Sequence, residues 1–378
     1  MDLLYELWIH DICGFDPKKV GKCIFIFKNA YNAYHSKPYS LERIKAFGMT
    51  GFVSASKNLE KAEEIYEECK DKGIRIISIE DEEYPELLKN AYMPPRILFA
   101  KGELKNLNGY FPLAVVGTRH ATEQGRYFTQ RLAERLCKDN KVMIISGMAE
   151  GIDAAAHKGA IKGGRKTVAV LAGGCDKIYP LSNRNLYYEI LENGAVISER
   201  PPGTVGKGYF YQQRNRIIAG MSKGTVIVEG RGKSGARITA NHTLDNNRDL
   251  FTVPGSPMSP QAELPNSLIK EGAEIVRGEA DIIDEYRDIY PEYFKIITIN
   301  DKTDLKTNSN KPLFADLSPE ERNIMEYITE CGGSAGAEKM AEALKIEVGS
   351  LNASLTMLCI KDYIIQTSQD RYVLKEAE

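Results

Sequence analysis

The sequence predicts an α/β protein with a Rossmann-like, mostly parallel sheet as its central domain, a small helical domain before it and a winged helix after it. Short apolar runs alternate with helical patterns between about residues 95 and 280. Such continuous runs are typical of strands that helices cover on both faces of a parallel sheet. A length of 378 residues exceeds what one core usually holds, which favours several domains.

The first domain, residues 1–75, is predicted to be helical, of SAM or helix-hairpin-helix type. Apolar positions recur at helical spacing over residues 59–69. We expect this domain to serve packing or interaction. Two consecutive prolines, Pro94 and Pro95, then prevent a helix and precede an extended run at 97–100.

The central domain is predicted over residues 76–288 and contains six candidate strands. They are residues 113–116, 142–145, 167–171, 195–198, 225–228 and 250–253. Most of these runs end in glycine or in a small polar residue. Because the carboxyl ends of strands in an open α/β sheet line the ligand crevice, the sequence predicts one site at this edge.

A polar linker is predicted over residues 289–315, and a winged helix over residues 316–378. The pattern of the latter is three helices, at 319–330, 337–343 and 348–360, followed by extended runs at 363–366 and 371–374. This part carries six Lys/Arg and twelve Asp/Glu, and its third helix has no basic residue. Winged helices that read duplex DNA place cations on that helix, so we expect contact with a protein instead.

The bulk properties exclude several classes of function. A net charge of −2 does not fit a protein that coats nucleic acid with its whole surface, but it permits a local basic groove. No apolar run reaches the roughly 20 residues of a membrane span. Seven cysteines without a C-x-x-C pair predict reduced thiols and a cytoplasmic protein. Histidines and cysteines do not cluster, so no metal site is predicted.

The positive charge is concentrated between residues 200 and 248, where nine Lys/Arg face only two acids. Within this segment, Lys207-Gly-Tyr-Phe-Tyr-Gln-Gln-Arg-Asn-Arg216 places cations beside aromatic side chains. Cations bind phosphates and flat rings stack on unpaired bases, so this combination is typical of single-strand binding. For Phe210 two roles stay open, a base-stacking ring or a core residue under the helix.

Two glycine-containing turns are candidate phosphate sites. Gly117-Thr118-Arg119 follows a strand and precedes a helix. The helix N-terminus supplies N–H donors, and Arg119 can bind one anion through two hydrogen bonds. The alternative is a tight turn with a solvent-facing arginine. Lys233-Ser234-Gly235 forms a similar strand-to-helix turn. Neither turn has the order of a P-loop or of a G-x-G-x-x-G motif, so no nucleotide cofactor and no ATP hydrolysis are predicted.

A third turn follows the second strand, at Ser146-Gly147. Asp153 and His157 come soon after it and are four residues apart on one helix face, so we expect them to pair with each other. The glycines of this turn fit a close approach of the backbone better than catalysis. We therefore predict no catalytic residue here.

Together these motifs resemble the DNA-processing protein A family (DprA, also called Smf). The resemblance runs in order through Val116-Gly-Thr-Arg119, Ser146-Gly-Met-Ala-Glu-Gly-Ile-Asp153, Val168-Ala-Val-Leu-Ala-Gly-Gly174, Ile197-Ser-Glu199, Arg214-Asn-Arg-Ile-Ile-Ala219, Ser234-Gly-Ala-Arg-Ile-Thr-Ala240, Val253-Pro-Gly255 and Leu268-Ile-Lys-Glu-Gly-Ala273. It implies a homodimer that binds single-stranded DNA, protects the incoming strand and loads RecA recombinase onto it during transformation or recombination. It implies no enzymatic activity, no cofactor and no membrane association.

The resemblance and the turns together assign nucleic-acid binding to fourteen residues. These are Gly117, Thr118, Arg119, Ser146, Gly147, Lys207, Phe210, Arg214, Asn215, Arg216, Lys233, Ser234, Gly235 and Arg237. Three positions depart from the family pattern: Glu150 replaces a frequent arginine, residues 264–266 replace a glycine-containing turn, and Arg237 replaces a smaller residue.

A competing class is the Rossmann-like enzymes that cleave nucleoside monophosphates, or a related nucleotide-binding sensor. Those enzymes resemble this chain in the glycine-rich turn but carry a glutamate there for glycosidic chemistry. The turn from Gly235 to Ala240 has no carboxylate. The enzyme interpretation is therefore the weaker one.

Overall fold

The computed structural model describes residues 2–36, 57–104, 107–295, 317–331, 334–361, 363–368 and 371–374. The chain divides into two compact units, residues 1–296 and 297–378. The first unit begins with helices α1 (Asp2–Ile12), α2 (Pro17–Phe27), α3 (Ala30–His35) and α4 (Glu60–Asp71). Helix α2 begins at Pro17, because Asp16 accepts hydrogen bonds from the amides of Lys18 and Lys19 and Pro17 presets the backbone.

These first helices share one hydrophobic core with the sheet that follows. Trp8 and Phe15 are buried, and the Phe15 ring lies 6.1 Å from that of Phe99 on a strand. The Arg96 guanidinium binds both carboxylate oxygens of Glu6, the shortest contact being 2.6 Å. Within the described residues, the helices of the first 71 positions therefore pack directly on the central sheet.

A nine-stranded sheet forms the centre of the first unit. Its strands are β1 (Arg75–Ser78), β2 (Ile97–Gly102), β3 (Phe111–Val116), β4 (Val142–Ser146), β5 (Thr167–Leu171), β6 (Gly194–Ser198), β7 (Gly224–Ile227), β8 (Asp249–Thr252) and β9 (Glu274–Ile275). Their order is β1-β2-β6-β5-β4-β3-β7-β8-β9. All pairs from β6 to β9 are parallel, and only β1–β2 and β2–β6 are antiparallel. The mostly parallel sheet is confirmed.

Helices cover the sheet on both faces, as the continuous apolar strands predict. They are α5 (Glu86–Lys89), α6 (Glu123–Asp139), α7 (Ile152–Lys162), α8 (Arg184–Asn193), α9 (Gly208–Gly220), α10 (Ala236–Asp245), α11 (Glu263–Lys270) and α12 (Glu279–Tyr286). Successive residues of one strand face different cores: Ile144 packs in one cluster and Ile145 in another. No helix in the described part of the chain is long and apolar enough to cross a membrane.

The strand order reverses at β3. The chain adds β4, β5 and β6 on one side of β3 and then returns to place β7 and β8 on the other. In a doubly wound sheet this reversal separates the two loops that follow the adjacent strands, here those after β3 and β7, and opens a crevice at the carboxyl edge.

The first residues of the predicted linker, 289–295, pack on the first unit: Phe294 is buried, the Lys141 amide donates to the Tyr293 carbonyl at 2.7 Å, and the Lys295 amide donates to Asn140 Oδ1 at 3.0 Å. Although this stretch is mostly polar, it contains Tyr293 and Phe294, which pack around Phe111. The rest of the predicted linker, 296–315, lies outside the described residues.

The second unit consists of α13 (Pro319–Glu330), β10 (Ser334–Gly336), α14 (Ala337–Leu344), α15 (Val348–Ile360), β11 (Ile364–Ser368) and β12 (Arg371–Leu374). Its strands form an antiparallel sheet in the order β10-β12-β11. Ser318 and Glu321 form a reciprocal capping box at the start of α13. Buried residues from all three helices, among them Ile324, Met340 and Leu355, make a core within this unit.

The expected pair of Asp153 and His157 does not form. His157 is fully buried and its Nδ1 lies 2.7 Å from Thr167 Oγ1, whose own hydroxyl donates to the Ile144 carbonyl. The imidazole therefore donates from Nδ1 to Thr167. Burial, with a smaller contribution from the charge of Arg214, lowers the pKa of His157 to about 3.

We predict that His157 makes the protein less stable in mild acid. The unfolded chain takes up a proton near pH 6.5 and the folded chain only near pH 3, so this stability is complete above pH 6.5 and decreases as pH falls. Between pH 7.5 and 5 the loss from this residue is about 2 kcal/mol. His157→Gln should remove that part of the pH dependence in denaturant unfolding. If the free energy of unfolding falls equally with pH in both proteins, His157 is not the group responsible.

Candidate nucleic-acid interface

A crevice of about 750 Å³ opens at the carboxyl ends of β3 and β7, where the strand order reverses. Its walls are the turn after β3, the first half of α9, and the turn that leads into α10. The predicted site at this edge of the sheet therefore has a cavity. Nine of the fourteen assigned residues line it, namely Gly117, Thr118, Arg119, Arg214, Asn215, Lys233, Ser234, Gly235 and Arg237.

The turn after β3 is held tightly to the turn after β7. The Thr118 amide donates to the Glu229 carbonyl at 2.8 Å, and a Cβ on Gly117 would collide with this carbonyl and with Ile152. Only glycine fits there. Arg119, which comes next, is exposed and places its guanidinium carbon 4.8 Å from the centre of the Tyr211 ring. In the described part of the chain Arg119 has no carboxylate partner.

The sequence predicts that the N-terminus of α6 donates hydrogen bonds to a phosphate. In the structure a carboxylate of the protein already occupies this N-terminus. The Glu229 carboxylate accepts from the Thr122 amide at 2.9 Å and from the Thr122 hydroxyl at 2.6 Å, and it packs against Gly125. A helix N-terminus stabilises a negative charge, and here Glu229 supplies it. A phosphate bound at this turn would therefore rely on Arg119.

The turn that leads into α10 faces the crevice from the other side. Its Ser234 hydroxyl accepts from the Ala236 amide at 3.3 Å, and the Asn215 amide group donates to the Gly235 carbonyl at 3.3 Å. The first residues of α10 line the cavity and Gly235 provides no side-chain cap, so the positive end of the helix dipole lies at the cavity. Lys233 is exposed beside it, without an ion pair in the described structure.

Arg214 forms part of the floor of the crevice and is buried. Its guanidinium donates to the carbonyls of Gly147, at 2.9 Å, and Val170, and it packs so closely on Gly147 that no Cβ would fit. Burial lowers its pKa, and the nearby Asp153 carboxylate opposes this shift. Burial raises the pKa of Asp153, whereas the charge of Arg214 and hydrogen bonds from the amides of Ala149, Gly117 and Gly147 lower it. These two charges hold the loops in place.

The other five assigned residues lie outside the lining of the crevice. Ser146 is buried and donates to the Val115 carbonyl at 2.7 Å, and Gly147 packs under Arg214. Lys207 is the exposed N-cap residue of α9, next to the lining residue Gly208. Phe210 is 8% exposed, with the Arg200 guanidinium carbon 4.0 Å above its ring.

Arg216 is not brought to the crevice. Its side chain is 6% exposed, and its guanidinium pairs with the buried Glu199 carboxylate and donates to the Met93 carbonyl. Arg237 lines the crevice but pairs with both carboxylate oxygens of Glu271 and with the Ser267 hydroxyl. The cations of the crevice without such partners in the described residues are Arg119 and Lys233, with Lys207 beside its rim.

Tyr211 lines the crevice and Tyr179 lies near it, and neither was assigned from the sequence. Tyr211 stacks under Arg119 and lies 6.1 Å, between ring centroids, from the exposed Tyr179. Tyr211 follows Phe210 directly in the sequence, and the helical period could have shown which of the two rings faces the crevice. Successive residues of a helix point about 100° apart, so Tyr211 faces the cavity while Phe210 faces inward.

The fold and the crevice define a doubly wound α/β protein with a cationic, aromatic-lined cavity at its topological switch point. A family model described as DNA recombination-mediator protein A matches residues 75–287, more than half of the chain, and the chain belongs to this family. Membership places it among recombination mediators and not among enzymes.

Individual relatives agree with this assignment. The chain is 39% identical to DNA processing protein DprA of Bacillus subtilis over 216 residues, covering 57% of this chain and 72% of the relative. It is 30% identical to protein Smf of Synechocystis over 97% of this chain and 98% of the relative. The solved structure of DprA from Streptococcus pneumoniae matches with a TM-score of 0.59 at 30% identity, over 75% of this chain and 97% of that one.

A second solved structure, from Helicobacter pylori, is described as showing the single-stranded DNA binding mode of DNA processing protein A. It matches with a TM-score of 0.52 at 26% identity, over 58% of this chain and 97% of that one.

We predict that Phe210 and Arg216 stabilise the fold. Phe210→Ala should lower the free energy of unfolding by about 3–5 kcal/mol because it empties a buried site. Arg216→Ala should cost a similar 3–5 kcal/mol because it leaves the Glu199 charge buried and unpaired. Denaturant unfolding checks both, with Arg119→Ala as an exposed control that should change stability little. A Phe210→Ala protein of unchanged stability but reduced strand affinity would favour base stacking.

Proposed function

We propose that the crevice binds a segment of single-stranded DNA. The observation that carries this proposal is the arrangement of Arg119 on the face of Tyr211, opposite Lys233 and the N-terminus of α10. It offers positive charge for phosphates and an aromatic surface for an unpaired base. Base–aromatic stacking requires a base without a partner, which a single strand presents and a duplex does not.

The distribution of carboxylates supports binding over catalysis. Asp153 is the carboxylate that lines the crevice, and it faces Arg214 and the loop amides from a buried position. Glu229 is engaged by Thr122 and Glu271 by Arg237. A glycosidase needs a carboxylate at the sugar, and in the described residues each nearby carboxylate already has partners. The glycosidase alternative therefore lacks its catalytic group.

The relatives support the same proposal, because one is described by its binding of single-stranded DNA and several by DNA processing. We infer that this chain protects incoming single strands and loads RecA recombinase onto them in transformation or recombination, acting as a homodimer in the cytoplasm without a cofactor. All seven cysteines are free, which suits a reducing compartment.

We also propose the predicted domain layout, with a SAM-like helical part over residues 1–75, a central domain over 76–288 and a winged helix over 316–378. The order of helices and strands in the second unit, with its antiparallel sheet, supports the winged helix. Its helix α15 has no charged residue, and Val348 and Met357 on it are exposed. These features favour a protein partner over DNA for this unit.

The salt dependence of binding should reflect the small number of unpaired cations. If Arg119, Lys207 and Lys233 each neutralise one phosphate, the logarithm of affinity for a short oligothymidylate should fall with the logarithm of salt at a slope of about −2. Fluorescence anisotropy across a salt series measures this slope. Affinity that does not change with salt, or that requires ATP, would contradict the proposal.

Arg119 and Tyr211 should contribute in different ways. Arg119→Ala should weaken binding and make the slope less steep by about 0.7, because one phosphate contact is lost. Tyr211→Ala should cost about 1–3 kcal/mol and leave the slope unchanged, while Tyr211→Phe keeps the ring and most of the affinity. Tyr127→Ala removes an exposed tyrosine of α6 away from the crevice and is the matched control.

Removal of residues 316–378 should leave most single-strand affinity in place. This part carries a net charge of −6, which repels phosphate, and the chain divides into separate units ahead of it. The truncated protein should instead be impaired in recombinase loading or in oligomeric state. A tenfold or greater loss of affinity in a folded truncation, about 1.4 kcal/mol, would assign DNA binding to the second unit.

A further inference from the structure

A second cavity adjoins the crevice at the carboxyl end of β5. It has a volume of about 550 Å³, and Tyr211 lines both cavities. The ends of β3 and β5 are separated by one strand, β4, and therefore by about 10 Å, since adjacent strands lie about 4.8 Å apart. A few nucleotides of an extended strand span such a distance.

The side chains of this second cavity combine exposed apolar surface with free cations. Tyr179 is 58% exposed, Leu181 75% and Val205 67%. Lys177 and Arg184 are exposed in the same lining, and neither has an ion pair in the described residues. Flat or apolar surface next to cations is the chemistry that recognises a base and its phosphate.

The walls of this cavity are already ordered. The Gly174 amide donates to the Thr204 carbonyl at 3.0 Å, and a Cβ on Gly173 would collide with the same loop. Asp176 accepts from Lys72 at 2.7 Å and from the Gly203 amide at 2.8 Å, so its charge is compensated. No rearrangement is needed before a ligand can bind, which keeps the entropic cost of binding low.

We propose that this cavity is a second nucleotide subsite, with Tyr179 as a base-stacking surface and Lys177 and Arg184 as phosphate contacts. The strand would leave the crevice over Tyr211, whose ring centroid lies 6.1 Å from that of Tyr179. This inference rests on the proposed single-strand binding of the crevice and extends it along the sheet edge. Continuity through Tyr211 and the excess of cations favour a nucleotide over a peptide as the occupant.

The test compares oligothymidylates of increasing length. For the natural sequence, affinity should rise as the oligonucleotide becomes long enough to reach the second subsite. The double variant Tyr179→Ala/Arg184→Gln should bind the shortest ligand normally and lose at least fivefold with the long one, about 1 kcal/mol. The matched control Tyr127→Ala/Lys158→Gln changes an exposed tyrosine and an exposed lysine that line neither cavity, and should behave as the unmodified protein.

A second variant guards against an effect of Tyr179 on folding. Lys177→Gln/Arg184→Gln should make the salt slope for long oligonucleotides less steep by about 1.4 and leave that for short ones unchanged. Equal losses at every length, or no loss at any length, would overturn the second subsite. If Arg119→Ala fails to weaken any oligonucleotide, the proposed function itself is wrong, so the two failures are distinguishable.

Discussion

The carboxyl edge of the sheet depends on one buried guanidinium. Arg214 reaches from α9 to the carbonyls of Gly147 and Val170, at the ends of β4 and β5, and faces the Asp153 carboxylate on α7. A buried charge is costly unless it is paired and hydrogen-bonded, so these loops cannot relax away from it without a large penalty. Asp153 in turn interacts with the amide of Gly117 after β3. The crevice is therefore formed before any ligand binds.

The same buried charges explain why the basic segment is a less direct guide to binding than its composition suggests. Of the nine cations between residues 200 and 248, Arg200, Arg214 and Arg216 are buried, and Arg237 pairs with Glu271. Lys223 lies over the ring of Tyr290. These cations hold loops and helices together. The phosphate contacts that we propose come from the exposed cations at or beside the crevice. Charge density in a sequence indicates a region, and burial decides which of its members remain available.

The aromatic residues at the start of α9 also divide into buried and accessible ones. Tyr209, Phe210 and Tyr211 are consecutive, and on a helix they point about 100° apart. Tyr209 is 56% exposed, Phe210 is buried against Arg200, and Tyr211 stacks on Arg119. The two cavities meet at Tyr211, which gives this side chain a central position in both proposals. Its neighbour Phe210 supports the helix on which Tyr211 is carried.

The sequence by itself determined the strands from β3 to β8, the helices of the second unit and the edge at which the crevice lies, because apolar periodicity and strand-end glycines are local signals. It also contained the motifs by which the family is recognised. Only the tertiary structure decided that Glu229 occupies the N-terminus of α6, that His157 pairs with Thr167, and that Arg216 binds Glu199. Each of these contacts joins residues on different elements, and packing, which local patterns do not encode, selects such partners.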